Sequence, residues 1–177
     1  MSNSFKITCK WEKRSEPYRF DEEDYIDWTM LFMSLRRFLA LYDGPFLIRI
    51  NEFDLDFDLE PDLSTIFEEL PDVLEALSTN TDSPVELHFF EQGTDLIFWL
   101  ERQADTISIR FVKGPSVGRR FADLPESLHS IPANIFLNEW VRFANAVLDA
   151  LVELQPDLTG DQSYLEYRDR LQALKTG

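Results

Sequence analysis

The sequence predicts an α+β fold, an antiparallel sheet built around a three-stranded meander with helices packed mainly on one face. Three observations predict it. Between Val85 and Val112, three β-rich runs follow one another through links too short for a parallel crossover. Four other stretches space their apolar residues at three and four, the period of an amphipathic helix. The order of strand, helix, strand, helix, three strands and two helices lacks the alternation of a doubly wound sheet.

In chain order, Phe5 to Trp11 alternates Phe5, Ile7, Cys9 and Trp11 with Lys6, Thr8 and Lys10, as a half-buried strand does. A charged stretch from Glu12 then leads to a helix predicted from Asp24, with Asp21 or Asp24 as candidate caps. Its stripe is Trp28, Leu31, Phe32, Leu35, Phe38, Leu39 and Tyr42, and Asp43-Gly44-Pro45 ends it. Arg36 and Arg37 lie toward its C-terminal half, where positive charge suits the helix dipole. Phe46, Ile48 and Ile50 alternate as a strand, after which the apolar parity flips to Phe53, Leu55, Phe57 and Leu59. Such a flip requires a bulge at Asn51-Glu52, or a hairpin there pairing Ile50 with Phe53 and Ile48 with Leu55. Asn-Glu is a poor two-residue turn, which favours the bulge.

A stripe from Leu63 to Leu77 predicts the next helix, kinked or divided at Pro71. The meander runs are Val85 to Phe89, Asp95 to Leu100 and Thr106 to Val112. The stretch Lys113 to Ile131 lacks periodicity apart from room for a short edge strand or turn. Leu137 to Leu151 marks a strongly apolar helix from Pro132 to Leu154, and a last helix starts at Gln162. No repeat or linker divides the chain, so residues 1–177 read as a single domain.

The 177 residues are 44% hydrophobic and 14% aromatic, enough for a sizeable core. No apolar run approaches a membrane span, and the Met1-Ser2-Asn3-Ser4 start lacks the features of a signal peptide. Cys9 is the single cysteine, and a cytoplasmic location is the expectation. The net charge is −16, and 15 of the 33 acidic residues but none of the 17 basic ones lie between Ile50 and Glu101. That field disfavours nucleic acid and anionic membrane surfaces and attracts a basic protein.

The acidity peaks in Glu52, Asp54, Asp56, Asp58 and Glu60, which alternate with Phe53, Leu55, Phe57 and Leu59. On an extended strand these carboxylates share one face about 6.7 Å apart. Two readings compete: an edge strand that uses charge to prevent aggregation, and a site for a cationic partner. Like charges so placed raise one another's pKa, so the ladder is expected to titrate late and the protein to gain stability on mild acidification. Asp54-x-Asp56-x-Asp58 copies the opening of an EF-hand loop, but Leu59 replaces its glycine and Thr65 its closing glutamate. No metal site is therefore assigned.

Lys113-Gly114-Pro115-Ser116-Val117-Gly118-Arg119-Arg120 is a basic loop without the P-loop Lys-Ser/Thr, and it reads as solvated. No HExxH, CxxC, GxSxG or GxGxxG pattern occurs, so no catalytic residue and no cofactor is assigned. Glu86, His88, Glu91 and Arg102 are placed to converge across the first hairpin. A hydrolase using carboxylates is the alternative from another class; it requires a buried, unpaired acid in a cleft near His88, Arg110 or the basic loop. An interaction domain without a specific site is a further alternative.

The meander with Glu86-Leu87-His88-Phe89-Phe90-Glu91-Gln92-Gly93 at its first turn, behind the acidic segment, resembles the small acidic immunity proteins that neutralise bacterial toxins. The resemblance covers about Phe46 to Val112. It implies inhibition by tight binding, often of a nuclease, without chemistry of its own. The expected protein is a non-enzymatic acidic binding protein that captures a basic partner through Glu52, Asp54, Asp56, Asp58 and Glu60.

Overall fold

The computed structural model describes residues 4–18, 28–79, 83–91 and 93–174. Its class is α+β, with every strand pair inside its sheets antiparallel. The strands form two main sheets. One takes β1 (Phe5–Cys9), β4 (Pro45–Ile50) and β5 (Phe53–Asp58) in the order β1-β4-β5. The other takes β6 (Val85–Phe89), β7 (Leu96–Gln103), β8 (Thr106–Lys113) and β9 (Leu128–Pro132) in chain order. The three-stranded meander is present and β9 extends it, occupying the end of the long loop as a short edge strand. A small ribbon pairs β2 (Glu12–Lys13) with β3 (Tyr42–Asp43).

The apolar sets of both main sheets enter one core. Phe57 of β5 stacks on Phe89 of β6 at 4.2 Å between ring centroids and meets Phe98 of β7 edge-on at 6.2 Å. Phe46 of β4 stacks on Phe143 at 5.3 Å, and Phe5 of β1 lies 4.6 Å from Phe136. Phe136 and Phe143 belong to α5 (Ala133–Leu154), whose buried stripe continues through Trp140, Val147 and Leu151. Aromatic pairs at these separations add to the burial that drives the sheets together.

The helix predicted from Asp24 begins, among the described residues, at Met30: α1 is Met30–Leu41, and Thr29 caps it by accepting from the Phe32 amide at 3.2 Å. Asp21 and Asp24, the expected caps, lie outside the described residues. Trp28 precedes the helix and meets Phe32 edge-on. The helix expected from Leu63 starts earlier. It is α2 (Leu59–Phe67), because Pro61 sits in its first turn, where a missing amide is harmless, and Leu59 buries. The chain divides at Pro71 as expected, with α3 (Leu70–Ser78) opening on that proline.

At Asn51-Glu52 there is a two-residue hairpin and not a bulge, with Ile50 opposite Phe53 and Ile48 opposite Leu55. Asn51 takes φ 53°, the left-handed conformation that asparagine tolerates better than most residues. Its side chain also accepts from the Ser4 amide at 3.0 Å, and its own amide donates to the Ser4 carbonyl at 2.8 Å. These bonds secure a turn that Asn-Glu alone would hold poorly.

The C-terminal helices fall where the periodicity puts them. After a 3-10 turn at Pro156–Gly160, α6 (Gln162–Ala173) starts with Asp161 accepting from the amides of Ser163 and Tyr164. Lys113 to Ile131 contains, besides β9, the short α4 (Arg119–Ala122). No described helix is long and apolar enough to cross a membrane.

Candidate functional site

Asp54, Asp56 and Asp58 stand on the exposed face of β5, while Leu55 and Phe57 bury on the other. The hairpin also fixes where the β5 backbone points. With Ile50 and Phe53 closing a two-residue turn, Phe53, Leu55 and Phe57 exchange hydrogen bonds with β4. The N–H and C=O groups of Asp54, Asp56 and Asp58 therefore face away from β4, along the free edge of the sheet. Side chains and edge groups thus belong to the same residues at three of the five predicted positions; Glu52 lies in the turn before β5 and Glu60 in the first turn of α2, so the five carboxylates do not share one strand face.

The carboxylates recruit arginines from elsewhere in the sequence. Arg49, directly across on β4, grips Asp54 with two bonds of 2.5 and 2.7 Å. Arg120 of α4 donates to the Asp58 carboxylate at 2.6 Å and to the Asp56 carbonyl at 2.7 Å. Glu60 faces Arg36 at 3.3 Å and Arg14 at 3.9 Å. The carboxylates of Glu52 and Asp56 make no ion pair among the described residues. Glu52, in the turn, lies close enough to His129 to favour its charged form; burial works the other way and holds that imidazole below its ordinary pKa.

At Asp54 this pairing overturns the late titration expected of the ladder. The Arg49 bonds hold the Asp54 carboxyl below the usual carboxylate range, so it does not titrate late. The opposite behaviour appears one turn into α2. Asp62 is fully buried, and burial pushes its carboxyl up, against the Asp58 amide, the Thr94 hydroxyl and Arg120. Its Oδ2 accepts from the Asp58 amide at 2.7 Å, and its buried Oδ1 has no hydrogen-bond partner. Sequence reasoning missed this residue. The available signal was its place four residues after Asp58, with Pro61 between them.

Arg120 is delivered by the basic loop, which is clamped to the β6–β7 turn. Asp95, buried at φ 36°, accepts from the Ser116 amide at 2.8 Å and the Ser116 hydroxyl at 2.7 Å. Those bonds, with His88 adding a third contact at 3.1 Å, keep its carboxyl below the ordinary range. Gly114 and Gly118 donate to the carbonyls of Asp95 at 2.8 Å and Gly93 at 2.9 Å. The amides of Gly114, Ser116 and Gly118 are engaged by protein, so they form no cradle for a phosphate, and the loop lies at the surface as expected while being held in place.

The same clamp decides how His88, Asp95 and Ser116 relate. Ser116 bonds to the carboxylate that His88 also contacts, so no imidazole stands between serine and acid as a hydrolytic relay needs. The convergence of Glu86, His88, Glu91 and Arg102 is not found. Arg102 turns away to the Leu77 and Ser78 carbonyls at the end of α3, at 2.7 and 2.9 Å. Asp62 is the buried acid near the basic loop that a hydrolase reading asks for, but it lines none of the principal cavities among the described residues. No cluster of three or more His, Cys, Asp or Glu suited to a metal occurs among the described residues.

Comparison with protein-family models, with curated proteins and with solved structures found no match for this chain.

Proposed function

We propose that the protein is a non-enzymatic acidic binding protein that captures a basic protein partner, with β5 as the recognition surface. The observation that carries the reading is the state of the ladder. Asp56 and Glu52 make no ion pair among the described residues, and the pairs beside them are exposed. Arg49 and Asp54 are each about half accessible, at 51% and 48%, and Asp58 is 59% accessible. Exposed ion pairs contribute only about 0–1 kcal/mol. An incoming guanidinium or ammonium group can therefore exchange with Arg49 or Arg120 at little loss, while the charge of −16 steers it in. An immunity-type inhibitor of a basic toxin, acting in the cytoplasm, is the specific form this reading takes.

Nothing in the clamp or the ladder supports a reaction better than it supports binding. The acids of the ladder either meet arginines or face water, Asp95 is held by Ser116 and His88, and the buried Asp62 lines none of the principal cavities among the described residues. The test is capture of partners from the native organism's lysate at low and moderate salt, with Asp54, Asp56 and Asp58 changed together to Asn. Loss of capture with rising salt, and its abolition in the triple variant, is the expected result. Retained capture by a folded triple variant rejects β5 as the site.

A further inference from the structure

Both outer edges of the β1-β4-β5 sheet are closed by an acid and an arginine instead of a strand. On β1, the Glu139 carboxylate accepts from the Ile7 amide at 2.7 Å and Arg142 donates to the Ile7 carbonyl at 2.6 Å. On β5, the Asp62 carboxylate takes the Asp58 amide and Arg120 takes the Asp56 carbonyl. On β1 the couple takes both groups of Ile7, as the residue opposite it in an antiparallel strand would; on β5 it takes the amide of Asp58 and the carbonyl of Asp56, leaving two edge positions each half filled. The couples differ in their hold. Glu139 and Arg142 bond to each other at 2.7 Å, and the Glu139 side chain is only 16% accessible. Arg120 rests on an exposed carboxylate and one carbonyl, beside the buried and unpartnered Oδ1 of Asp62. The outward N–H and C=O of Asp54 have no hydrogen bond among the described residues.

We infer that Arg120 is a displaceable plug, and that the partner docks as an extended basic segment adding an antiparallel strand to the free edge of β5. This rests on the proposed function and specifies how the same surface is used. Antiparallel addition continues the order of the sheet. In that arrangement, residues directly opposite Asp54 and Asp56 exchange backbone hydrogen bonds with them and project their side chains to the same face. Lysine or arginine at alternate positions then meets each carboxylate, and the positions between are small or β-branched. The partner's cation also takes over the Asp58 carboxylate, with the leftover Asp62 oxygen beside it. Recognition is thus of a charge pattern with strand periodicity and not of positive charge alone, a strand-addition mode in which the main chain supplies affinity and the side chains specificity.

The probe is a synthetic Lys-Val-Lys-Val-Lys-Val peptide, with one version N-methylated at its lysine amides and another at its valine amides. Affinity is read by fluorescence anisotropy against the full-length protein. The inference expects lysine methylation to weaken binding about tenfold or more and valine methylation to leave it within about threefold, since only the lysine amides face β5. Arg120→Ala should bind the parent peptide about three- to tenfold more tightly, with Arg120→Lys in between, the gain being that of removing an exposed competitor. Thermal unfolding of both variants verifies that they fold. Equal affinity for both methylated peptides, with binding still abolished by the Asp-to-Asn triple variant, overturns strand addition while leaving charge-based capture intact. Unchanged binding by the triple variant removes both readings. Self-association of Arg120→Ala in sedimentation, in place of tighter peptide binding, also overturns the inference, because the plug then guards against pairing with a second copy.

Discussion

Arg120 donates to the Asp58 carboxylate at 2.6 Å across 62 residues of sequence, and the same guanidinium caps the Asp56 carbonyl. The contact joins the basic loop to the acidic ladder, two features that look unrelated in the primary sequence.

Because Arg120 and Asp58 are 36% and 59% accessible, the pair is screened, and Arg120→Ala should cost no more than about 1 kcal/mol of stability. Urea midpoints at low salt check this, and about half of any loss should vanish in molar salt. A loss beyond about 2 kcal/mol would mean that Arg120 is a structural fastener and a poor candidate for displacement.

The opposite edge should behave differently. Burial works against the Glu139 charge, but Arg142 and the Ile7 amide outweigh it and hold its pKa below the ordinary range. Glu139→Ala leaves the Ile7 amide without its acceptor and Arg142 with only the Ile7 carbonyl, a change expected to cost about 1–3 kcal/mol. Glu139→Gln keeps an acceptor and should lose less. Since the folded pKa is depressed, the stabilisation is present above the unfolded carboxyl pKa and fades as pH falls through the folded one. Urea unfolding of wild type and Glu139→Ala at pH 7 and pH 3 should therefore show a smaller gap at pH 3.

Which of these features were legible follows from their range along the chain. Alternation in β5 to β8 and the stripe of α5 depend on residues two to four apart, and they read correctly. The hairpin at Asn51 runs against the expected bulge because it is supported by Ser4, just ahead of β1 and 47 residues away in sequence. Two sheets replaced the single one expected because the face contact of Phe57 with Phe89 is invisible to periodicity. β9 has only His129 and Ile131 facing inward, too few to announce a strand. At the site, the carboxylates of Asp54, Asp56 and Asp58 were legible and their arginines were not. Charge counting along the segment overstated its isolation because Arg49 lies just outside it and Arg120 arrives through the fold.

The clamp that positions Arg120 rests on a lack of space at Gly118. A Cβ there would lie 2.4 Å from the Gly93 carbonyl oxygen, and backbone on both sides leaves little room to yield. Gly118→Ala should cost about 1–3 kcal/mol as an overpacked contact and loosen Arg120 from β5. A methyl group added at Gly160 would meet nothing within 4 Å, so Gly160→Ala should be neutral or stabilising by about 0.4–1 kcal/mol. Thermal unfolding of the two variants side by side decides it, and equal effects would show that the close approach at Gly93 is not a constraint.

Asp62 gives the sharpest pH signature. Its folded pKa is raised, first by burial and further by the nearby Asp58 charge, while the Asp58 amide, Thr94 and Arg120 oppose the rise. A raised folded pKa means that the native state binds the proton more tightly than the unfolded chain. The associated penalty is absent below the unfolded pKa and grows as pH rises through the folded one, each tenfold difference in proton affinity being worth about 1.4 kcal/mol. Asp62→Asn keeps an oxygen for the Asp58 amide and cannot ionise, so it should gain on the wild type between pH 4 and pH 7. Comparing variant with wild type is essential, because Asp54 and Asp95 have depressed pKa values and pull the pH dependence of the whole protein the other way. Thr94→Val removes a hydroxyl that favours the charged form, so relative to wild type it should cost more stability at pH 7 than at pH 4. Measured by urea unfolding, a variant advantage that is the same at both pH values would show that Asp62 titrates as an ordinary carboxylate and that its burial is relieved in solution.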